Sequence, residues 1–360
     1  MPRRFSILLG YSILMTACSG KDDTNPAETN CADAEDNDGD GLIDCDDPDC
    51  SATLACDTDT DTDTDTDTDT DTDTSEVDTS PQQVVRFIAM GDGGEGNDNQ
   101  YQVSQAIEQV CGQIGCDFVL YMGDNFYNEG VDGVDDAQFQ SKFELPYQNL
   151  SLPFYVVLGN HDYGLTSTEF WRTDAQIDYT QNSSKWNMPA KHYAFTEKHA
   201  AFYGLDTNSI MWGLASDQES WLNSETAKSG PTWRIAFGHH PYLSNGQHGN
   251  AGRYEGIPSI PVVSGGDVED FMEDYICGKV DVYLSGHDHN RQWLEPNCGT
   301  EFIVSGAAAK STDLKGRGSA TFWEDDSTQG FLWVELADNQ MTGVFYDKNG
   351  TENYRRVISK

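Results

Sequence analysis

The sequence predicts an α/β fold for the part of the chain that begins near residue 84, and two observations support this. Short apolar runs typical of buried strands alternate with amphipathic helical patterns along this part. Five of these runs end in a glycine that is followed directly by Asp, Asn or His. Because α/β folds place ligand chemistry at the carboxyl ends of their strands, the second observation also predicts a functional site there.

The elements follow one another in a regular order. Helices are expected near Asn99–Gly112, Ala137–Leu145, Ser216–Lys228 and Val268–Ile276. Strands are expected at Val84–Met90, Phe118–Met122, Phe154–Leu158, His192–Thr196, Ala201–Leu205, Arg234–Phe237, Val280–Leu284, Phe302–Ser305, Phe331–Leu336 and Met341–Tyr346.

The first 80 residues differ sharply in charge from the rest. They hold 23 acidic and 3 basic side chains, which is half of the net charge of -40. Such a composition cannot bury a core of its own. It also argues against nucleic acid as a partner, since phosphate backbones are bound by basic patches.

Residues 1–17 resemble an export signal, with Arg3 and Arg4 before a short apolar stretch that ends at Ala17. The following Cys18 completes a pattern similar to a bacterial lipobox, which predicts a lipidated N-terminus at the outer membrane or cell surface. Plain secretion with Cys18 unmodified is the alternative. A membrane is therefore expected as a partner only through this lipid anchor.

The cysteine count agrees with export, because removing Cys18 from nine cysteines leaves eight. An even number in an exported protein favours disulfides. Proximity in the sequence suggests pairs between Cys111 and Cys116 and between Cys277 and Cys298.

Residues 18–56 form an acidic, cysteine-rich segment whose carboxylates alternate around a glycine, a spacing typical of calcium loops. A solvated acidic run held by disulfides explains the same pattern. Residues 57–83 contain nine consecutive Asp-Thr dipeptides and are expected to act as an extended linker. The candidate calcium ligands are Asp36, Asp38, Asp40, Asp44 and Asp47.

The polar residues after the strands are the main evidence for function. Any one of them alone is explained as a turn or cap residue, but five in order are not. Together they offer carboxylate, amide and imidazole donors without a thiolate, which suits iron, zinc or manganese. A bridging carboxylate with about three further protein ligands per ion would build a two-metal hydrolytic site. The five groups follow Gly91, Gly123, Gly159, Gly238 and Gly286.

These blocks resemble those of the purple acid phosphatases, and most closely the small, tartrate-resistant type, over residues 84–360. In the wider metallophosphoesterase superfamily a histidine usually stands two residues after the first aspartate, where this chain has Gly94. A tyrosine, Tyr127, appears after the second block instead. The resemblance implies a four-layer α/β/β/α sandwich of two mixed sheets.

The resemblance also implies a ligand set. A ferric ion would take Asp92, Tyr127 and His289, and a divalent iron, zinc or manganese ion would take Asn160, His239 and His287. Asp124 would bridge the two ions.

Five further residues receive roles beside the metals. His161 is expected to stabilise the phosphate in the transition state, with its ring oriented by Asp162, and His248 to protonate the leaving group. Asp288 and His240 are expected to contact the metal ligands and hold them in place, without binding metal themselves. His240 is also the alternative to His239 as a metal ligand.

The expected activity is hydrolysis of phosphate monoesters, small or on proteins, at mildly acidic pH by a metal-bound hydroxide. A nucleotidase or phosphodiesterase on the same scaffold is the first alternative. A surface-tethered binding lipoprotein with an inactive site is the second alternative. It agrees with the acidic N-terminal region but not with a complete set of metal ligands.

Overall fold

The computed structural model describes residues 83–257 and 260–360. The predicted signal peptide, the lipidated Cys18, the calcium segment and the Asp-Thr linker all lie outside these residues. The first strand begins at Val84, at the predicted start of the catalytic domain.

The described chain forms two sheets of seven strands each. In the first sheet β1 to β4 run parallel to one another, and β12 joins β1 in the antiparallel sense, followed by β13 and β14. Its strands are β1 (Val84–Met90), β2 (Phe118–Met122), β3 (Phe154–Val157), β4 (Trp186–Asn187), β12 (Gly330–Ala337), β13 (Gln340–Asp347) and β14 (Glu352–Ser359).

The second sheet is also mixed, with the order β11-β9-β10-β8-β7-β6-β5. The strands β6, β7, β8 and β10 are parallel, and antiparallel strands complete both edges. Its strands are β5 (Tyr193–Glu197), β6 (Ala200–Gly204), β7 (Trp233–Phe237), β8 (Val282–Ser285), β9 (Arg291–Leu294), β10 (Glu301–Ser305) and β11 (Thr321–Asp325).

The two sheets pack face to face, as the alternation of side chains in β1 illustrates. Val85 and Phe87 enter a core shared with Phe202, Ile235 and other residues of the second sheet. Ile88 belongs to a different core, between the first sheet and its covering helix. The helices are α1 (Asp98–Ile114), α2 (Thr173–Asp178), α3 (Thr207–Met211), α4 (Ser216–Thr226), α5 (Pro261–Ser264) and α6 (Gly266–Phe271).

A third core covers the outer face of the second sheet. It joins Tyr203, Ala236 and Tyr283 of the strands to Leu222 of α4 and Phe271 of α6. One face of each sheet thus packs against the other sheet, and its opposite face is covered by helices. The predicted α/β/β/α sandwich is confirmed.

Both disulfide pairs suggested from the sequence are present, Cys111–Cys116 and Cys277–Cys298. The first closes the C-terminal turn of α1, and the second joins the end of a helical segment to the loop before β10. Within the described ranges, no helix combines the length and apolar composition that crossing a bilayer requires.

Two predicted helices are less regular than expected. The turn at Gln140–Glu144 is a π-helix, and the helix that begins at Gly266 continues as a π-helix over Met272–Ile276. The sequence patterns also missed β4, β9, β11 and β14. The strand β14 alternates between exposed and half-buried residues at the sheet edge, so it has no apolar run to reveal it.

Candidate metal centre

The predicted ligands come from loops at the carboxyl ends of five parallel strands. The loops after β1, β2 and β3 in the first sheet carry Asp92, Asp124, Tyr127 and Asn160. The loops after β7 and β8 in the second sheet carry the three histidines of the set, His239, His287 and His289. Since the sheets face each other, both groups of loops meet at one end of the sandwich.

Three loop residues at this end have backbone conformations that residues other than glycine rarely adopt. Asp92, Asp124 and His287 all have positive φ angles, of 63°, 52° and 68°. Such angles cost free energy for residues other than glycine and are concentrated at functional sites. All three are predicted ligands.

Gly94, two residues after Asp92, lies too close to the next loop to carry a side chain. A Cβ at this position would lie 2.2 Å from the backbone of Asn125, so only glycine fits. The close approach allows two backbone hydrogen bonds, in which the Gly94 amide donates to the Asp124 carbonyl and the Tyr127 amide donates to the Gly94 carbonyl. The loop of Tyr127 is thereby held against the loop of Asp92.

The donor atoms predicted for the ferric ion form a tight triple. The Tyr127 hydroxyl lies 2.9 Å from Asp92 Oδ1 and 3.1 Å from His289 Nε2, and the latter two atoms are 3.3 Å apart. Ligands at right angles around an ion at about 2.1 Å lie about 3 Å from one another. The anionic triple, as we call Asp92, Tyr127 and His289, therefore has the spacing of a coordination shell.

The donors predicted for the divalent ion form a second triple. His239 Nε2 lies 3.0 Å from Asn160 Oδ1 and 3.1 Å from His287 Nδ1. The other nitrogen of His239 lies 2.9 Å from the Met122 carbonyl, which fixes the ring with Nε2 directed at its partners. We call Asn160, His239 and His287 the neutral triple.

Asp124 lies between the two triples. Its Oδ1 is 3.5 Å from His239 Nε2 of the neutral triple, and its charge helps to raise the pKa of Tyr127 in the anionic triple. One ligand atom each from Asp92, Asp124 and His239 lie within 4.8 Å of one another. This is the position that a carboxylate shared by two ions requires.

The electrostatics of Asp124 suit that role. Burial alone would raise the pKa of its carboxyl, but His239, His161 and the His161 backbone amide at 2.9 Å lower the pKa to about 2. The group is therefore ionised at any pH at which the protein functions. Burial and the charges of Asp124 and Asp92 raise the pKa of the Tyr127 phenol instead, so a bound cation is needed to draw off its proton.

His161 lies beside the site, with its ring 4.6 Å from that of Tyr127. Its Nδ1 lies 2.8 Å from the Asn128 carbonyl, so the carbonyl, and not Asp162, orients the ring. The expectation that Asp162 does so is wrong. The remaining nitrogen, Nε2, is left for a substrate, and it donates a proton there only when the imidazole is charged.

Asp162 instead joins two of the metal-bearing loops. Its buried carboxylate accepts backbone amide hydrogen bonds from Gly159 at 2.8 Å, Asn125 at 3.1 Å and Phe126 at 3.2 Å. The Gln176 side chain donates a further bond at 2.9 Å. Burial and the nearby Asp124 raise the pKa of Asp162 to about 6, so its many amide donors offset only part of the cost of its charge.

His248 reaches the site from the loop after β7. Its ring stacks on that of His287 with centroids 4.0 Å apart, and its Nδ1 contacts the carboxylate of Glu255. No pattern in the sequence singles out Glu255, which lies in a glycine-containing loop seven residues after His248. Nδ1 is thereby fixed and Nε2 is left free to act on a substrate.

Asp288 holds the His248 loop in place and contacts no donor atom of either triple. Its carboxylate accepts hydrogen bonds from the backbone amides of His248 at 2.7 Å and Gly249 at 3.2 Å, and from the Ser244 hydroxyl. It therefore supports the predicted acid rather than a metal ligand.

His240 is buried behind the neutral triple. Its Nδ1 lies 2.8 Å from the Thr207 hydroxyl, and its ring packs 4.6 Å from that of His287. Burial and the neighbouring His239 hold the pKa of His240 well below its usual range. The structure places His239, and not His240, at the donor cluster.

Two lysines that the sequence did not single out approach Tyr127. Lys310 Nζ lies 3.4 Å from the centroid of the phenol ring and forms a 2.8 Å ion pair with Glu95. Lys142 donates to the Tyr127 backbone carbonyl. Both cations therefore lie on the side of the anionic triple.

Comparison with known proteins agrees with this geometry. The family model described as calcineurin-like phosphoesterase matches residues 85–291. The tartrate-resistant acid phosphatase type 5 of Sus scrofa is 28% identical over 321 residues, which cover 78% of this chain and 89% of that protein. Purple acid phosphatase 7 of Arabidopsis thaliana is 27% identical over 304 residues, covering 76% and 86%.

Solved structures share the fold. The structure titled "GAP50 the anchor in the inner membrane complex of Plasmodium" has a TM-score of 0.62 and 24% identity, covering 77% of this chain and 89% of that one. A structure of PhoD has a TM-score of 0.51 and 14% identity, covering 77% and 72%. The chain therefore belongs to the calcineurin-like phosphoesterase family, as a metal-dependent acid phosphatase of the purple acid phosphatase type.

Proposed function

We propose that the protein hydrolyses phosphate monoesters at mildly acidic pH with a centre of one ferric and one divalent ion. The observation that carries the proposal is the pair of donor triples joined by Asp124. The buried Tyr127 phenol, which needs a cation to ionise, indicates that the residues fit bound metal.

The two triples favour different ions. A carboxylate and a phenolate are hard anionic donors, which stabilise a ferric ion at Asp92, Tyr127 and His289. An amide oxygen and two imidazoles carry no charge, so Asn160 and its partners favour a divalent iron, zinc or manganese ion. When bound, the two ions would neutralise the phosphate and lower the pKa of water enough to supply hydroxide in acid.

The protein side chains would complete the reaction around the phosphate. His161, in its imidazolium form, would donate from Nε2 to a phosphate oxygen and stabilise the charge that develops there. His248 would give its Nε2 proton to the leaving oxygen as the ester P–O bond breaks. Stacking on His287 and the contact with Glu255 support this orientation.

We further propose that the enzyme is exported and tethered by lipid at Cys18, through the acidic segment and the Asp-Thr linker. The two disulfides of the described residues support export, because such bonds persist in oxidising compartments. Calcium binding by residues 18–56 stays a hypothesis that rests on their spacing alone.

The test is a metal and activity assay on protein expressed with iron and zinc. We expect two ions per chain, a visible absorption band from the iron–phenolate pair, and turnover of monoesters such as 4-nitrophenyl phosphate with a mildly acidic optimum. An active, iron-loaded protein without colour would contradict the Tyr127 assignment. Faster turnover of the diester bis(4-nitrophenyl) phosphate would favour the phosphodiesterase alternative.

A further inference from the structure

A cleft of about 340 Å³ opens beside the neutral triple. Asn160, His287 and His248 line its inner end. Because His248 is the predicted acid for the leaving group, the cleft lies where the alcohol part of a phosphate ester would extend from the metal centre. Its volume is within the range of small-molecule pockets and suits a group of one or two rings.

Four apolar side chains line the cleft beside the polar Thr166, Ser167 and Asn208. Met211 and Trp212, at the end of α3, line one part, and Val262 and Val263 of α5 line another. Trp212 is 36% exposed and Val263 is 40% exposed. Exposed apolar side chains that converge on a concave site commonly mark a ligand-binding groove, because covering them removes apolar surface from water.

The cleft offers little positive charge to an anionic leaving group. Among its described lining residues there is no lysine or arginine, and the one charged side chain other than histidine is Glu255. Lys310 and Lys142 lie against Tyr127 on the side of the anionic triple, and Lys310 is already paired with Glu95. A leaving group with further phosphates would find no lysine or arginine among these lining residues to pair with its charge.

We infer that this cleft selects phosphate monoesters of aromatic or compact apolar alcohols, and that Trp212 is the main specificity-determining side chain. The inference rests on the proposed function, since it concerns the leaving group of the same reaction. It predicts weak use of nucleoside di- and triphosphates, whose leaving groups are polyanions.

The experiment compares esters that differ in apolar surface but not in leaving-group chemistry, namely ethyl, butyl and hexyl phosphate. For the wild type, kcat/KM should rise along the series by up to about fourfold per buried methylene. Trp212→Ala should reduce kcat/KM for hexyl phosphate about tenfold and that for ethyl phosphate less than about twofold. Trp171→Ala, which removes a tryptophan that is 56% exposed and outside the cleft lining, should match the wild type.

A second arm adds charge. Val263→Lys places a cation on the exposed wall and should raise kcat/KM for adenosine diphosphate severalfold relative to butyl phosphate. Equal losses on all three alkyl esters in Trp212→Ala, or a flat wild-type series, would overturn the inference.

A binding measurement separates failure of the inference from failure of the proposed function. Methyl-, butyl- and hexylphosphonate cannot be hydrolysed at their P–C bond, so calorimetric titration reports the cleft without turnover. Tighter binding of hexylphosphonate that disappears in Trp212→Ala supports the inference even if no ester is hydrolysed, whereas absent hydrolysis alone contradicts only the proposed function. Binding independent of chain length overturns the inference.

Discussion

The two donor triples are similar in spacing but differ in charge and in how many residues each sheet contributes. The anionic triple takes Asp92 and Tyr127 from the first sheet and His289 from the second. The neutral triple takes Asn160 from the first sheet and His239 and His287 from the second. Each therefore depends on both sheets, and each completes its shell only when the sandwich closes.

The residues around the two triples also differ in charge. Lys310 and Lys142 contact Tyr127 on the anionic side, where they offset the extra negative charge. His248 with Glu255 and the apolar cleft lie on the neutral side, against His287. Under the proposed function, the anionic side would hold the harder ion and the neutral side would protonate the leaving group.

Removal of Asn160 should have the largest effect. Asn160→Ala deletes the amide oxygen of the neutral triple, so we expect loss of one of two ions per chain and a fall in kcat of about a thousandfold. Elemental analysis and steady-state kinetics measure both. Asn149→Ala, which changes an exposed asparagine, serves as the control. Normal metal content in Asn160→Ala would contradict a metal site at Asn160.

Removal of the Tyr127 hydroxyl should act on the other half. Tyr127→Phe keeps the ring but loses the phenolate, so the visible band should vanish and kcat should fall about a hundredfold. Absorption spectra and iron content are the measurements. Tyr203→Phe, buried in the core behind the second sheet, should retain the band. A band that persists in Tyr127→Phe means that another residue supplies the colour.

Loss of the Glu255 charge should affect protonation of the leaving group alone. Glu255→Gln should reduce kcat about tenfold for alkyl phosphates, which need an acid, and less than about twofold for 4-nitrophenyl phosphate. The kcat ratio between the two substrates is the measurement, with metal content unchanged and the exposed Glu295→Gln as the control. An equal loss on both substrates would indicate a structural role for Glu255.

Loss of the Lys310 cation should give the smallest effect. Lys310→Met removes a positive charge 3.4 Å from the Tyr127 ring centroid, which raises the energy of the phenolate electrons. The visible band should move to longer wavelength while kcat changes less than about twofold. Lys348→Met, whose amine bonds Asn99, is the spectroscopic control. An unmoved band would show that Lys310 does not act on the phenolate.

Much of the fold was predictable because its central strands are continuous apolar runs. Val84–Met90, apolar except for Arg86, and Phe118–Met122 have the predicted bounds, since parallel strands buried on both faces are largely apolar. The strands β9 and β11 carry polar residues that find partners only in the folded chain. Arg291, for example, is fully buried and donates to Asp325 at 2.7 Å.

The candidate ligands were predictable for a related reason. A glycine followed by a polar residue after a buried strand is a local pattern, and the order of the blocks assigned Asp92, Asp124 and the histidines to one site. The partners that orient them were not predictable, because Asn128, Gln176 and Glu255 act through contacts that no spacing reveals.

The sequence by itself determined which candidate ligand side chains stand after which strands. Only the tertiary structure decided that Asp162 joins loops, that Asp288 supports His248, and that an apolar cleft adjoins the neutral triple. The physical reason is the range of the interactions. Strand burial and turn chemistry depend on residues that are near neighbours in the chain. The contacts of Asp162 and Asp288 and the lining of the cleft exist only where the folded sheets bring distant loops together.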